Sequence, residues 1–327
     1  MLTPVVDIIV RGKDTFVFRG CHSFSIKRDV DELSATGTVV MPLSAVKQNE
    51  QQPLMQINKN VHAGDAVTVR AWYDEIGFPN EIFNGYIRTV DTQERVTLHV
   101  EDAVYLLRRK PVVISELKPL KLKELLEKLL EDLPISISND TADMVIDEFQ
   151  HNGNVAGALD QLKKDLSLTI YIDSLDRLYA GGEQMQRDIP LIKLTYGRNI
   201  IENRTAYQFA EDNPLLVTVK GKKPDNTEVV VEVGMKGGNE HTLYRYNITD
   251  EETLKKIGEE YILKRNYTGF KGNLKTIFVP FAEMGGTVEY HNENYADHSG
   301  KYFIKGVTYS FSTDAGLKQE IELGQRI

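Results

Sequence analysis

IFNGYIRTV at residues 82–90, followed by VTLHVEDAVYLL at residues 96–107, is the stretch that decides how the fold is interpreted. Apolar and polar residues alternate in both segments, which is typical of strands with one buried face. Asn84-Gly85 lies between apolar residues and predicts either a hairpin turn or a bulge within a strand. The stretch therefore predicts β structure.

Working outward, the segments before it follow the same pattern. Short apolar runs separated by polar turn residues predict further strands, at residues 5–10, 16–18, 24–26, 36–41 and 66–73. Six or seven short strands in about 100 residues favour a closed or nearly closed barrel. We therefore predict a first tube-type β-barrel over residues 1–117.

The composition changes after Pro111. Leucines recur at helical spacing from Leu122 to Leu133, and Pro134 ends the run. This leucine stripe fits either a coiled-coil partner surface or a helix that covers its own core, and its short length favours the second. Asn154 is a suitable cap for a second helix, and a strand hairpin follows at residues 168–180. Residues 118–185 are thus predicted as a small α/β domain.

Strand patterns resume after residue 190, with Pro224-Asp225-Asn226 as a turn. Thr249 and Glu252 predict a capping box for one helix, after which strands return. We predict a second tube-type β-barrel over residues 186–248 and 295–327, with residues 249–294 as an inserted helix-plus-strands segment. The two β regions are weakly similar in the order and type of their residues, as in GDAV at 64–67 and GGTV at 285–288. This similarity supports duplication of one barrel. The predicted fold class is mainly β, with two similar β-barrels plus small α/β domains.

Composition limits the possible functions. The 327 residues include 39 Lys and Arg against 48 Asp and Glu, giving a net charge of -9, which argues against a general nucleic-acid binder. No segment approaches the roughly 20 apolar residues that cross a bilayer, and the N-terminus lacks a secretory signal. We expect a soluble protein, synthesised in a cytoplasm, with no membrane segment.

Candidate catalytic and metal-binding residues each have a simpler explanation. Cys21 is the only cysteine, and on a strand its neighbour His22 points to the opposite face. The set His291, Glu293 and His298 lies in a polar stretch without a metal-binding motif.

The carboxylate pairs Asp29 with Asp31 and Glu251 with Glu252 fit a solvated surface or a helix N-terminus. The glycine pairs beginning at residues 181, 237 and 285 lack the further residues of a phosphate-binding loop. We therefore predict no enzyme activity and assign no catalytic, cofactor-binding or metal-binding residue.

The order of these parts resembles the baseplate hub proteins of contractile phage tails, the late control protein D family, and the hub portion of VgrG spike proteins. Four stretches carry the resemblance: IFNGYIRTV with VTLHVEDAVYLL; the helix from Leu122 with residues 154–173; LTYGRNIIE at 194–202; and GKYFIKGVTYSF at 300–311 with IELG at 321–324. The resemblance covers nearly the whole chain.

The resemblance implies a structural hub in the baseplate of a virion tail or related injection system, assembled in the bacterial cytoplasm. Two barrels per subunit, in a homotrimer, would form a ring that joins the tail tube to the central spike. The implied partners are further copies of the chain, the spike protein, the tail tube or tube-initiator protein and the tape-measure protein, with DNA only in transit through the lumen. We expect another chain to supply wall-degrading chemistry, because no such segment follows the closing strand.

The excess of acidic residues suggests the hypothesis that carboxylates line the channel of the implied ring and repel DNA phosphates. The simpler explanation is solubility. Two alternative functions stay open, a tail-associated peptidoglycan hydrolase or peptidase and a carbohydrate-binding β module. The latter needs exposed aromatic side chains on one face, whereas most of the 15 tyrosines lie in strand patterns, where burial is the default.

Overall fold

The structure is a computed structural model, and it describes residues 2–46, 54–182, 189–223 and 226–327. Pro224 and Asp225 of the predicted turn, and the predicted domain boundary at 185/186, lie outside these residues. The described residues form 25 strands and four α-helices, which confirms the mainly β fold class with helical insertions. No helix of the described ranges is long and apolar enough to cross a membrane.

The first β region consists of strands with short connections. They are β1 (Pro4–Arg11), β2 (Thr15–Arg19), β3 (Ser23–Asp29), β4 (Thr36–Met41), β5 (Ser44–Val46), β6 (Leu54–Gln56), β7 (Ala66–Tyr73), β8 (Asn80–Thr92) and β9 (Val96–Glu101), with a 3-10 helix at Ile57–Lys59. Asn84-Gly85 lies inside β8, so the hairpin alternative is wrong. The β8 pairings with β7 and with β9 each shift register once, on either side of this dipeptide.

The middle region mixes helices and short strands. It contains α1 (Val104–Arg109), β10 (Pro111–Glu116), β11 (Leu120–Lys121), α2 (Leu122–Leu130), β12 (Ser136–Ile137), β13 (Val145–Ile146), β14 (Phe149–Asn154), α3 (Val155–Leu166), β15 (Thr169–Ile172) and β16 (Arg177–Gly181). The five leucines of α2 are buried in a core shared with α3, which confirms that the stripe covers a core of this chain. Asn154 caps α3, accepting a 2.8 Å hydrogen bond from the Gly157 amide, as predicted.

The last region begins and ends with strands. It contains β17 (Ile192–Thr195), β18 (Ile200–Gln208), β19 (Leu215–Lys222), β20 (Glu228–Gly234), β21 (Asn239–Tyr246), α4 (Glu251–Arg265), β22 (Gly269–Ile277), β23 (Thr287–His291), β24 (Gly300–Ser312) and β25 (Gly316–Arg326), with 3-10 helices at Ala210–Asp212 and Ala296–His298.

The predicted capping box of α4 is wrong. Asp250 is the N-cap, and its carboxylate accepts hydrogen bonds from the Thr253 amide at 2.8 Å and hydroxyl at 2.7 Å. The Thr249 hydroxyl instead donates to the carboxylate of Asp147 at 2.6 Å. A carboxylate one residue later thus replaces the hydroxyl as the cap, because it can accept both hydrogen bonds.

One large sheet contains strands from both β regions. Its 13 strands follow the order β18-β22-β25-β24-β3-β4-β9-β8-β7-β1-β2, with β23 paired to β24 and β17 to β23. The antiparallel pairing of β24 with β3, from Gly306 opposite Asp29 to Ser312 opposite Ser23, connects the two regions. Inward residues from both regions pack in one hydrophobic cluster, which includes Phe83, Leu98 and Ile321.

A second core lies beneath the helices. The strands β20, β19 and β21 pair in a separate sheet, and Val217 and Val219 pack with Leu254 and Ile257 of α4 in the cluster that also contains α2 and α3. The predicted second barrel, residues 186–248 and 295–327, included these three strands. They pair elsewhere because their inward side chains pack against α4.

Candidate interaction surface

Within the described residues, the main path of the large sheet ends in the edge strands β2 and β18, and β17 is a third edge strand that pairs only with β23. Among the described strands, β2 pairs only with β1, and β18 pairs only with β22. Val17 of β2 and Ile201 of β18 are each 51% exposed. Unpaired backbone groups on an edge strand can accept a strand from another chain. These edges, one from each β region, are therefore candidate contact sites.

An apolar cleft accompanies the β2 edge. Its volume is about 790 Å³, and it lies between β2 and the β5–β6 hairpin. Phe16, Phe18 and Met55 contribute apolar lining, and Val46 is exposed at its margin. An exposed apolar surface beside an unpaired edge is typical of a protein contact.

A different cleft lies beside β18, and we name it the aromatic cleft. It is bounded by Tyr196 after β17, by one face of β18 and by Tyr290, Tyr295 and His298 near β23, and its volume is about 440 Å³. The His298 ring is nearly parallel to the ring of Tyr207, with centroids 4.2 Å apart, and to that of Tyr295, at 5.4 Å. The Tyr302 hydroxyl donates to the His298 carbonyl at 2.7 Å and fixes the turn that carries these rings.

Three segments meet at a group of charges that we name the charged joint: Asp31, Lys163 and Lys305. The Lys305 ammonium lies 3.0 Å from the Asp31 carboxylate, and the Lys163 ammonium donates to the Asp31 carbonyl. Burial acts to raise the pKa of Asp31, but the charges of Lys305, Lys264 and Lys163 outweigh it, so the pKa lies below its usual value. The joint fixes the β3–β4 turn against β24 and α3.

The aspartate that follows β9 has a structural role. The carboxylate of Asp102 accepts hydrogen bonds from the Ala35 amide at 2.7 Å, the Val104 amide at 3.0 Å and the Ser34 hydroxyl at 3.1 Å. Burial nevertheless raises the pKa of Asp102 to about 6. This side chain connects the start of β4 to the start of α1, and it lies within VTLHVEDAVYLL, one of the stretches that carry the resemblance.

Cys21 does not form a nucleophilic pair with His22. Burial raises the pKa of the Cys21 thiol to about 12, so the reactive thiolate is scarce at neutral pH. The backbone of His22 bonds to Val40 and Thr313, which fixes the segment between β2 and β3. The Cys21 side chain packs against the main core.

The three candidate metal ligands are dispersed. His291 ends β23, Glu293 is exposed in the following turn, and the His298 ring stacks with two tyrosines. Within residues 2–46, 54–182, 189–223 and 226–327, no three His, Cys, Asp or Glu side chains are grouped so as to hold a metal ion.

Both carboxylate pairs have structural roles, but Asp29 is buried and does not lie on a solvated surface as predicted. The Asp29 carboxylate lies 3.0 Å from the Lys27 ammonium and accepts the Asp31 amide at 2.9 Å, which shapes the β3–β4 turn. Glu251 and Glu252 lie in the first turn of α4, where negative charge is favourable.

Sequence reasoning missed the aromatic cleft. Tyr290 and Tyr302, on predicted strands, are buried as expected, whereas Tyr196 and Tyr295, outside the predicted strands, are 48% and 62% exposed. The segment YHNENYADH at residues 290–298 carried a signal, because tyrosine, histidine and asparagine are concentrated in it without an apolar pattern.

No protein-family model matches the chain, and no curated protein matches it. Solved structures do match. The tail protein from Neisseria meningitidis MC58 superimposes with a TM-score of 0.68 at 14% identity, covering 99% of this chain and 97% of that one. The 43 kDa tail protein of prophage MuSo2 from Shewanella oneidensis gives 0.66 at 14% identity, with 98% of each chain covered.

The Francisella PdpA–VgrG complex contains a chain that matches with a TM-score of 0.61 at 9% identity, covering 99% of this chain and 58% of that one. At these identities the comparisons show a shared fold. Over nearly its whole length, this chain therefore has the fold of phage and prophage tail proteins and of a chain in a VgrG complex, which confirms the resemblance to baseplate hub proteins.

Proposed function

We propose that this chain is a structural hub of a contractile phage tail or related injection system. Three copies, each with two tube-type β-barrels, form a ring that joins the tail tube to the central spike. The observation that carries the proposal is the end-to-end fold match to tail proteins, with 97% or more of both chains covered in two cases. The proposed partners are the spike protein, the tube or tube-initiator protein and the tape-measure protein, and the proposed location is the baseplate.

The free edges supply contacts between copies. The β2 edge belongs to the first β region and the β18 edge to the last, so contact of β2 with the next copy's β18 is head-to-tail. A contact of this type closes into a ring when the rotation between copies is one third of a turn. We also propose that part of the net charge of -9 lines the lumen and repels DNA in transit.

The test is co-expression with the spike protein of the same tail gene cluster, followed by native mass spectrometry and electron microscopy. We expect three copies of this chain in a threefold ring on the spike. Val17→Asp and Ile201→Asp should reduce ring formation at least tenfold, because each adds a charge at a free edge. Leu175→Asp, at a residue 68% exposed in the β15–β16 turn, is the matched control and should leave the ring intact.

Two results would contradict the proposal: a spike complex without this chain, or an assembly with different symmetry. A ring whose lumen is neutral or basic would contradict the electrostatic part alone.

A further inference from the structure

The lining of the aromatic cleft has an unusual composition. It contains four tyrosines, one phenylalanine, one histidine, three asparagines and one threonine. None of these described residues is Lys, Arg, Asp or Glu, in a chain with 27% charged residues. The cleft thus combines aromatic surface with neutral hydrogen-bonding groups.

The aromatic surface is accessible. Tyr295 and Tyr196 are both exposed. The His298 ring stacks with the rings of Tyr207 and Tyr295, which holds these three rings in nearly parallel planes. Fixed rings lose little conformational entropy when a ligand packs against them. Their faces are apolar and electron-rich, which suits the C–H groups on the face of a pyranose ring.

The amide groups supply hydrogen bonds that the protein leaves unused. Asn203 accepts hydrogen bonds from the Thr205 amide at 2.9 Å and hydroxyl at 2.7 Å through its carbonyl oxygen, and its NH₂ group bonds to no other described residue. The Asn294 side chain likewise bonds to none of them, while its backbone amide donates to Asn292 at 3.0 Å. A side-chain amide offers both donors and an acceptor, which matches the hydroxyl groups of a sugar.

We propose that the aromatic cleft binds an uncharged oligosaccharide. Its volume of about 440 Å³ lies within the range of roughly 300–1,000 Å³ that is usual for small-ligand sites. Asn203, Thr205 and Tyr207 alternate along β18 and share one face of the strand, so the sheet forms a flat floor for a linear chain of sugars. A nucleic acid strand would also stack on the rings, but it needs basic side chains for its phosphates.

This site is independent of the proposed ring. A strand that pairs with the β18 edge uses backbone groups in the plane of the sheet, whereas the cleft uses side chains on one face. Failure of ring assembly and failure of saccharide binding are therefore separate results.

The test uses three uncharged probes, tetra-N-acetylchitotetraose, cellotetraose and maltotetraose, with the full chain. Saturation-transfer NMR and calorimetry should detect at least one of them with a Kd of about 1 mM or below. Tyr295→Ala and Asn294→Ala should each weaken that binding about tenfold or more. Tyr244→Ala is the matched control, because Tyr244 is 62% exposed like Tyr295 but lies on β21 in the separate sheet.

Two outcomes would overturn the proposal. One is no binding of any of the three probes by the folded chain. The other is binding that Tyr295→Ala and Asn294→Ala leave unchanged. Loss of self-association in Tyr295→Ala, without probe binding by the unaltered chain, would instead assign the cleft as a contact between copies. Circular dichroism of each variant separates a local effect from unfolding.

Discussion

Replacing Gly85 by alanine should destabilise the protein because the added methyl group has no space. A Cβ atom at this buried position would lie 2.4 Å from the Glu101 carbonyl oxygen and 2.7 Å from the Asp102 Cα. Both atoms belong to the backbone, so no side-chain rotation relieves the contact. The chain at the end of β9 would have to move by about 1 Å to reach an ordinary van der Waals distance.

The magnitude follows from three contributions. Overpacking of this kind costs about 1–3 kcal/mol. The same movement displaces Asp102 from the amides of Ala35 and Val104, and each weakened buried hydrogen bond costs about 1 kcal/mol. Alanine restricts the unfolded chain and returns about 0.5 kcal/mol. We expect a net loss of about 3 kcal/mol in the free energy of unfolding.

Equilibrium urea unfolding, followed by circular dichroism, measures this loss. With an m-value of about 3 kcal/mol per M, the midpoint should fall by about 1 M. Gly77→Ala is the control, since no atom lies within 4 Å of its added Cβ and only its positive φ of 76° opposes alanine. That backbone strain costs about 1 kcal/mol, or about 0.3 M. Equal midpoints for the two variants would refute the steric reasoning.

Three further substitutions test local features. Burial raises the pKa of Asp102 from 3.8 to about 6, so between these pH values the folded protein keeps a proton that the unfolded chain releases. Stability therefore falls as the pH rises through this window. Asp102→Asn should flatten that decline, as measured by urea unfolding at several pH values. Lys305→Met removes a positive charge that lowers the pKa of Asp31, so NMR titration of the variant should show a higher pKa for Asp31. The variant should also lose less stability than the original protein as the pH falls. An unchanged pKa would contradict the ion pair. Asn154→Ala should cost about 1 kcal/mol of stability, because the α3 cap is lost, whereas Asn154→Asp should keep the cap. Equal losses of stability for the two variants in thermal unfolding would argue against the cap.

The sequence predicted those strands and helices whose buried faces show as a hydrophobic period within one segment. Alternation identified the strands of the first region, and leucine spacing identified α2, because each pattern reports a buried face at a fixed period. The choice between two sheets was not predictable in the same way. Strands β19 to β21 alternate like their neighbours in sequence, and only their packing against α4 separates them from the large sheet.

The candidate site was less predictable for the same reason. Residues 290–298 contribute half of the lining of the aromatic cleft, and the rest comes from 196, 203–207 and 270. The sequence does not show that these segments meet. The charged joint likewise depends on contacts between α3, β24 and a turn that are far apart in the chain. Sequence patterns report which face of an element is buried, but they do not report which elements meet.

The shared sheet gives the hub proposal and the saccharide proposal a common structural basis. The pairing of β24 with β3 places the β2 and β18 edges at opposite ends of one hydrogen-bonded path. A copy that joins at β18 extends this path in the plane of the sheet, while Asn203, Thr205 and Tyr207 still point to one face. Val17→Asp, at the β2 end of the sheet and away from the cleft, should therefore reduce ring formation without weakening saccharide binding. Tyr295→Ala should weaken saccharide binding without reducing ring formation. If both substitutions reduced both properties, the edge and the cleft would act as a single surface, and the two proposals would no longer be independent.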